Sequence, residues 1–117
     1  MIVTRESLSP IVFDGLRILD YTATQNLSSS LAVIEVPPTA RHAVAFSKRS
    51  DKYYLVTKGE VRFVLEGNEF DLGPGDFCFV RCGQRFSYSN DRSETAMLVL
   101  IHTPKFSLEN EVFEASE

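Results

Sequence analysis

Between Arg41 and Lys52 the chain gathers Arg41, Lys48, Arg49 and Lys52 against Asp51 alone, an excess of three positive charges. Guanidinium and ammonium groups at this density suit a small anion, because arginine forks match carboxylate or phosphate oxygens. The same cluster also fits a solvated loop. Lys52 has two readings. Buried, with a depressed pKa, it is a Schiff-base nucleophile or a proton-transfer group. Otherwise it pairs with a carboxylate or runs its stem out to water. His42 titrates near neutrality and is a candidate general base. No carboxylate lies near it in sequence, so it also reads as a surface or structural side chain. His102, beside Thr103-Pro104, reads as structural.

The thiols offer little. Cys78 and Cys82 on one extended strand would be roughly 13 Å apart, and a disulfide needs Cα atoms within about 7 Å. Cys78, among Phe77, Phe79 and Val80, reads as a small buried apolar side chain. Cys82, next to Arg81, is more open to a reactive role. There is no G-x-S-x-G elbow, Walker loop, C-x-x-C or H-E-x-x-H. Gly73-x-Gly75 precedes a strand-like run and is not a phosphate cradle opening a helix.

Composition bounds what must position these groups. The 117 residues are 44% hydrophobic with a net charge of −4, so the chain should make one compact domain rather than a disordered one. With the basic stretch set aside, the rest carries −7, which argues against a duplex-binding surface. No apolar run reaches the roughly 20 residues of a membrane helix, and the first ten residues lack a secretory pattern. Two free thiols suit a reducing compartment. A cytoplasmic protein without nucleic-acid or membrane partners is expected.

Turn residues recur at close spacing, and the runs between them read as strands. These are Gly15 to Tyr21, Leu31 to Val36, Tyr53 to Thr57, Val61 to Leu65, Glu69 to Leu72, Phe77 to Arg81, Arg85 to Ser89 and Ala96 to Ile101. Gln25 to Ser30 reads as loop, and Pro37-Pro38 stops the second run because proline cannot donate to a ladder. About eight short strands predict an all-β antiparallel sandwich or barrel. Ser107 is placed to cap a short turn with Leu108, Val112 and Phe113 on one side. This apolar tail, residues 105–117, is expected to pack on its own barrel or on a dimer partner.

From Gly75 to Asn90 the chain reads GDFCFVRCGQRFSYSN, which resembles the second signature of the cupins, G-x5-P-x-G-x2-H-x3-N, with Gly75, Gly83 and Asn90 in register. Gly59 resembles the final glycine of the first signature, G-x5-H-x-H-x3,4-E-x6-G. The resemblance spans Pro37 to Pro104 and implies a jelly-roll barrel, with residues 31–104 as its core. At the usual metal-ligand positions stand Phe86, Lys52, and Ala45 with Ser47, or Phe46 with Lys48. Arg81 replaces the signature proline. The resemblance therefore implies the fold without the usual metal, and no cofactor is expected.

It also implies a pocket. Lys52 and Phe86 occupy inward positions, alternation sends Tyr54, Val56 and Tyr88 inward, and Arg41, His42, Lys48, Arg81 and Arg85 lie within reach of the rim. Tyr54, Phe86 and Tyr88 read either as stacking faces or as core filling. Three functions follow. The first is binding of a small anionic metabolite (carboxylate, phosphate or sugar acid) by Arg41, Lys48, Lys52, Tyr54, Arg81, Arg85, Phe86 and Tyr88. The second is a metal-independent isomerase, epimerase or lyase using Lys52, His42 or Tyr88 for acid–base work. The third is a non-catalytic partner protein with a filled pocket. Cupins commonly pair through their sheets, so a homodimer is expected.

Overall fold

The computed structural model describes residues 1–114. The three residues that end the tail, 115–117, lie outside the described residues. Eleven strands follow in order: β1 Ile11–Phe13, β2 Leu16–Asp20, β3 Ser30–Val36, β4 Arg41–Ser47, β5 Asp51–Lys58, β6 Val61–Leu65, β7 Asn68–Leu72, β8 Phe77–Val80, β9 Phe86–Ser89, β10 Ala96–Thr103 and β11 Glu111–Phe113. Short 3₁₀ turns occupy Arg5–Ser7 and Leu108–Asn110. One sheet has the order β1-β2-β3-β10-β5-β8, the other β11-β4-β9-β6-β7, and every pairing is antiparallel. This is the expected all-β jelly-roll sandwich. Among the described residues no helix is long and apolar enough to cross a membrane.

Each of the eight expected strands is present. Three more were not legible as strands. β1 is three residues long. β4 covers part of the basic stretch that also read as a loop. Its inward positions are small or polar, Ala45 and Ser47 among them, so it shows no apolar alternation. β11 forms where helical periodicity suggested a turn. Ser107 does precede a 3₁₀ turn, but its side chain makes no capping bond, and the chain then extends to pair with β4. The described part of the tail, through residue 114, thus returns to its own barrel.

Alternation on β5 and β10 sets the interior in layers. His102 faces Lys52, Leu100 faces Tyr54 and Leu98 faces Val56 across the β5–β10 ladder. Val36, Val56, Val61, Phe63, Ala96 and Leu98 belong to one buried core cluster between the sheets, and Val80 joins it opposite Lys52. Gly59 fixes the hairpin between β5 and β6: its φ is +68°, and a Cβ there would come within 2.8 Å of Ala96 Cα. Asn90 ties the turn after β3 to the loop before β10. Its buried amide donates to Val36 O at 2.9 Å and Glu94 O at 2.8 Å, while its side-chain oxygen accepts from Arg92 N at 2.8 Å. Both signature residues therefore serve the framework.

Candidate functional site

Between the two sheets lies a cavity of about 320 Å³. Its walls are apolar: Phe13, Leu16, Ile18, Ile34 and Leu100 from the barrel, and Phe106, Leu108 and Phe113 from the tail. Its polar groups are few, namely His42, Lys52, Tyr54, Tyr88, His102 and Glu111, with Asp20 and Ser30. This is the usual make-up of a small-molecule site, an apolar body with a few convergent polar groups.

Lys52 and His102 are almost wholly buried, at 3% and 5% exposure. The Lys52 ammonium donates to His102 Nε2 at 2.8 Å and to Glu111 Oε1. An ammonium only donates, so His102 accepts and carries its own proton on Nδ1. Burial lowers the Lys52 pKa from its ordinary value, and the Glu111 charge and hydrogen bond oppose that shift. Burial first, then the Lys52 charge, pushes His102 down to about 3. His102 is therefore a neutral acceptor at any ordinary pH.

His42 lies on β4, with ring centroids 5.0 Å from Phe86 and 5.1 Å from Tyr88. Its Nδ1 bonds Ala43 O at 2.6 Å. A backbone carbonyl only accepts, so the proton sits on Nδ1 and Nε2 keeps its lone pair. Burial lowers the pKa, partly offset by the Ala43 bond, and Lys52 lowers it further. Tyr54 and Tyr88 are buried, with centroids 5.7 Å apart, and burial raises both pKa values. The Tyr88 hydroxyl and Glu111 Oε2 are buried without a hydrogen-bond partner among the described residues. Buried polar groups are normally satisfied, so the pair marks a place for ligand or water.

The structure brings Lys52, His42, Tyr54 and Tyr88 together as the sequence suggested. Phe86 is buried beside His42, and the Lys52 ammonium lies 5.3 Å from its ring centroid, but Phe86 does not line the cavity. The other four cations are a correction. Arg41, Lys48, Arg81 and Arg85 are exposed and do not line it. The reason is alternation: Arg41 precedes inward His42, Arg81 follows inward Val80, and Arg85 precedes inward Phe86, so each points outward. Lys48 lies just past the end of β4. Arg81 stacks on Phe79, and Arg85 stacks on Phe46 and pairs with Glu114. The thiols stand apart, Cys78 half-buried against the core and Cys82 exposed.

Four polar members of the cavity wall escaped sequence reasoning as site residues: Asp20, Ser30, His102 and Glu111. His102 reads as structural because nothing local links it to Lys52, fifty residues away. Glu111 lies in a tail that sequence reasoning read only for its apolar side chains, Leu108, Val112 and Phe113. For these two the signal would have been the inward register of β10 and the return of the tail to β4.

The cupin domain profile matches residues 32–102. The chain belongs to the cupin family. Among cupins of known structure, the molecule superposes on Pac13 from Streptomyces, described as a nucleoside dehydratase, with a TM-score of 0.85 at 21% identity over 97% of this chain and 90% of that one. Pac13 has also been solved with uridine as a histidine-to-glutamine variant and as two tyrosine-to-phenylalanine variants. A sugar phosphate isomerase from Silicibacter pomeroyi matches with a TM-score of 0.77 at 18% identity, over 88% of this chain and 75% of that one. The cupin domain of Schizosaccharomyces pombe Cnp3 matches with 0.75 at 20%, over 92% and 75%. At these identities the likeness is one of fold. No curated protein matches the chain.

The donors at this cupin's signature positions do not fit a metal. Ala45 and Phe86 are cross-strand neighbours without ligating atoms. The Ser47 hydroxyl is taken up by the backbone N–H groups of Arg49 and Ser50 at 3.2 and 2.9 Å. Lys52 brings a cation of its own, and among the described residues no group of three or more His, Cys, Asp or Glu side chains is placed to hold a metal.

Proposed function

We propose that this cupin is a metal-independent acid–base enzyme, a lyase that eliminates water from a small uncharged substrate with a flat ring, such as a nucleoside derivative. The observation that carries this reading is a neutral His42 with its Nε2 lone pair free beside the unpartnered Tyr88 hydroxyl, in an apolar cavity. The Streptomyces relative, a nucleoside dehydratase solved with uridine in histidine and tyrosine variants, supports the reaction class.

Elimination needs a base for a proton on the carbon next to a carbonyl. His42 Nε2 takes that proton, and the C–H electron pair becomes the new C=C bond. The hydroxyl on the following carbon leaves, taking the proton back from the His42 imidazolium to depart as water. Tyr88, kept protonated by burial, donates a hydrogen bond to a substrate oxygen. Lys52 supplies a positive charge at the cavity floor, where enolate charge develops.

Cavity electrostatics favour a neutral substrate over the anion suggested by the basic stretch. Lys52 is balanced by Glu111, the four outer cations are absent from the walls, and Asp20 adds a carboxylate. The unpartnered Glu111 Oε2 calls for a ligand donor, a hydroxyl or an N–H, and would repel a phosphate.

Calorimetric titration in EDTA tests this, with uridine and uridine 5′-monophosphate as probes. Uridine should bind and the monophosphate should bind at least tenfold more weakly. Tyr88→Phe should weaken uridine binding severalfold. Incubation with β-hydroxy carbonyl nucleosides should release water, read as a loss of 18 mass units, and His42→Gln should abolish that loss. Equal or tighter binding of the monophosphate would sink the neutral-substrate reading, and turnover that EDTA abolishes would sink the metal-independent one.

A further inference from the structure

Four of the residues that line the cavity are exposed, and all four are apolar. They are Ile11 at 51%, Phe106 at 41%, Leu108 at 65% and Phe113 at 39%. They mark its mouth. β1 and β11 are edge strands of the two sheets, and Phe13 and Phe113 bridge them with ring centroids 5.2 Å apart. The polar groups of the cavity are buried or half-buried behind this rim. Single apolar residues scattered on a surface mean little, but a group gathered around one opening marks a binding site.

The rim is fixed in place. Ile11 is paired with Ile18 in the β1–β2 ladder. The Phe106 N–H donates to Ser30 Oγ at 2.9 Å, and its ring meets the His102 ring edge-on at 5.2 Å. Leu108 begins a 3₁₀ turn closed by the Asn110 N–H on Ser107 O at 3.0 Å. Asn110 O in turn accepts from Lys48 N at 2.8 Å. Phe113 lies against Phe13 and His42. Side chains held in this way keep apolar surface in water, a standing cost that a ligand would remove without having to order them.

We propose that, granted the ring site argued above, the substrate carries an uncharged aryl or branched-alkyl group that leaves the cavity between β1 and the tail and lies on this rim. Two observations favour that occupant over a separate partner. Each of the four side chains lines the cavity itself, so whatever covers them touches the ligand inside. The apolar wall also runs unbroken to the opening, from Ile18 to Ile11 and from Phe13 to Phe113. Charge points the same way. Lys52 is the one Lys or Arg among the lining residues, and Glu111 balances it, so an anionic arm has no partner at the mouth. Burial of a phenyl group is worth roughly tenfold or more in affinity.

Calorimetry with uridine, 5-benzyluridine and 5′-O-benzyluridine tests this, the benzyl probes placing the arm at either end of the nucleoside. One of them should bind at least tenfold more tightly than uridine. Leu108→Ser should bring that probe and uridine to within about twofold of each other. Phe70→Ser, on β7 and away from the cavity, should leave the gain intact. No gain with either probe, or a gain indifferent to Leu108, overturns the proposal. Failure of uridine and both benzyl probes to bind would instead count against the ring site. Benzyl alcohol then judges the rim alone: it should shift the NMR methyl signals of Ile11 and Leu108, and unmoved signals overturn the proposal. If a second copy of the chain covers the rim, Leu108→Ser will halve the mass read by light scattering, which also overturns it.

Discussion

Lys52 occupies a position where the cupin signature has a carboxylate, and its environment supplies what an ammonium needs. It sits between a neutral imidazole acceptor and a carboxylate, on the face of a phenyl ring. Removing one member of a buried ion pair leaves the other charge uncompensated. Lys52→Met should therefore destabilise the fold by about 3 kcal/mol. Lys52→Met/Glu111→Gln should recover much of that loss in urea denaturation. If the double variant is as unstable as the sum of the two single variants, the residues are not energetically coupled. The sequence picked out Lys52, Tyr54 and Tyr88 because the signature spacing and strand alternation determine inward positions, whereas His42 was offered by proximity to the rim and by its titration near neutrality. It also offered Arg41, Lys48, Arg81 and Arg85, since proximity in sequence does not say which side of a strand a residue takes.

Turn glycines and the returning tail decide how the strands reach the site. Gly59 and Gly67 both have positive φ, but only Gly59 is crowded: nothing lies within 4 Å of a Cβ built on Gly67. Gly67→Ala should cost about 1 kcal/mol in backbone strain. Gly59→Ala must also push β10 away at Ala96, so it should cost about 2–4 kcal/mol. Equal denaturation midpoints for the two variants would show that the hairpin shifts freely. The tail is the second such element. By pairing β11 with β4 it delivers Glu111 to Lys52 and Phe113 to the cavity wall. Glu111→Gln should weaken uridine binding in calorimetry, because an amide is a poorer acceptor than a carboxylate for a ligand hydroxyl or N–H.

The whole molecule keeps two imidazoles neutral, and that makes its stability depend on pH. His102 titrates at about 3 in the fold against 6.5 unperturbed, and burial also lowers His42. Below 6.5 the unfolded chain takes up protons that the fold refuses. The stability these groups contribute is present above that pH and is lost as pH falls towards 3. The loss should be on the order of a few kcal/mol for His102. Melting followed between pH 7.5 and 4.5 should show a steady decline, and His102→Gln should flatten it. A wild-type melting point constant over that range would place both imidazoles in water. The same depression of His42 should keep its base form populated below pH 6.5, with catalysis persisting there.

The sequence by itself determined the fold. Glycine turns, proline stops and alternating apolar runs are local signals, and the two spaced signatures identify the barrel through Gly59, Gly75, Gly83 and Asn90. It also determined which signature positions lack metal donors, because a position within a known signature needs no coordinates. Tertiary structure alone decided which charges enter the cavity. Side-chain direction depends on strand register, which turned four cations outward. It decided the partners of Lys52 as well, since His102 and Glu111 reach it only through the pairing of β5 with β10 and of β11 with β4. Contacts between residues fifty or more positions apart leave no local trace, and here they convert an apparently basic pocket into a nearly neutral one.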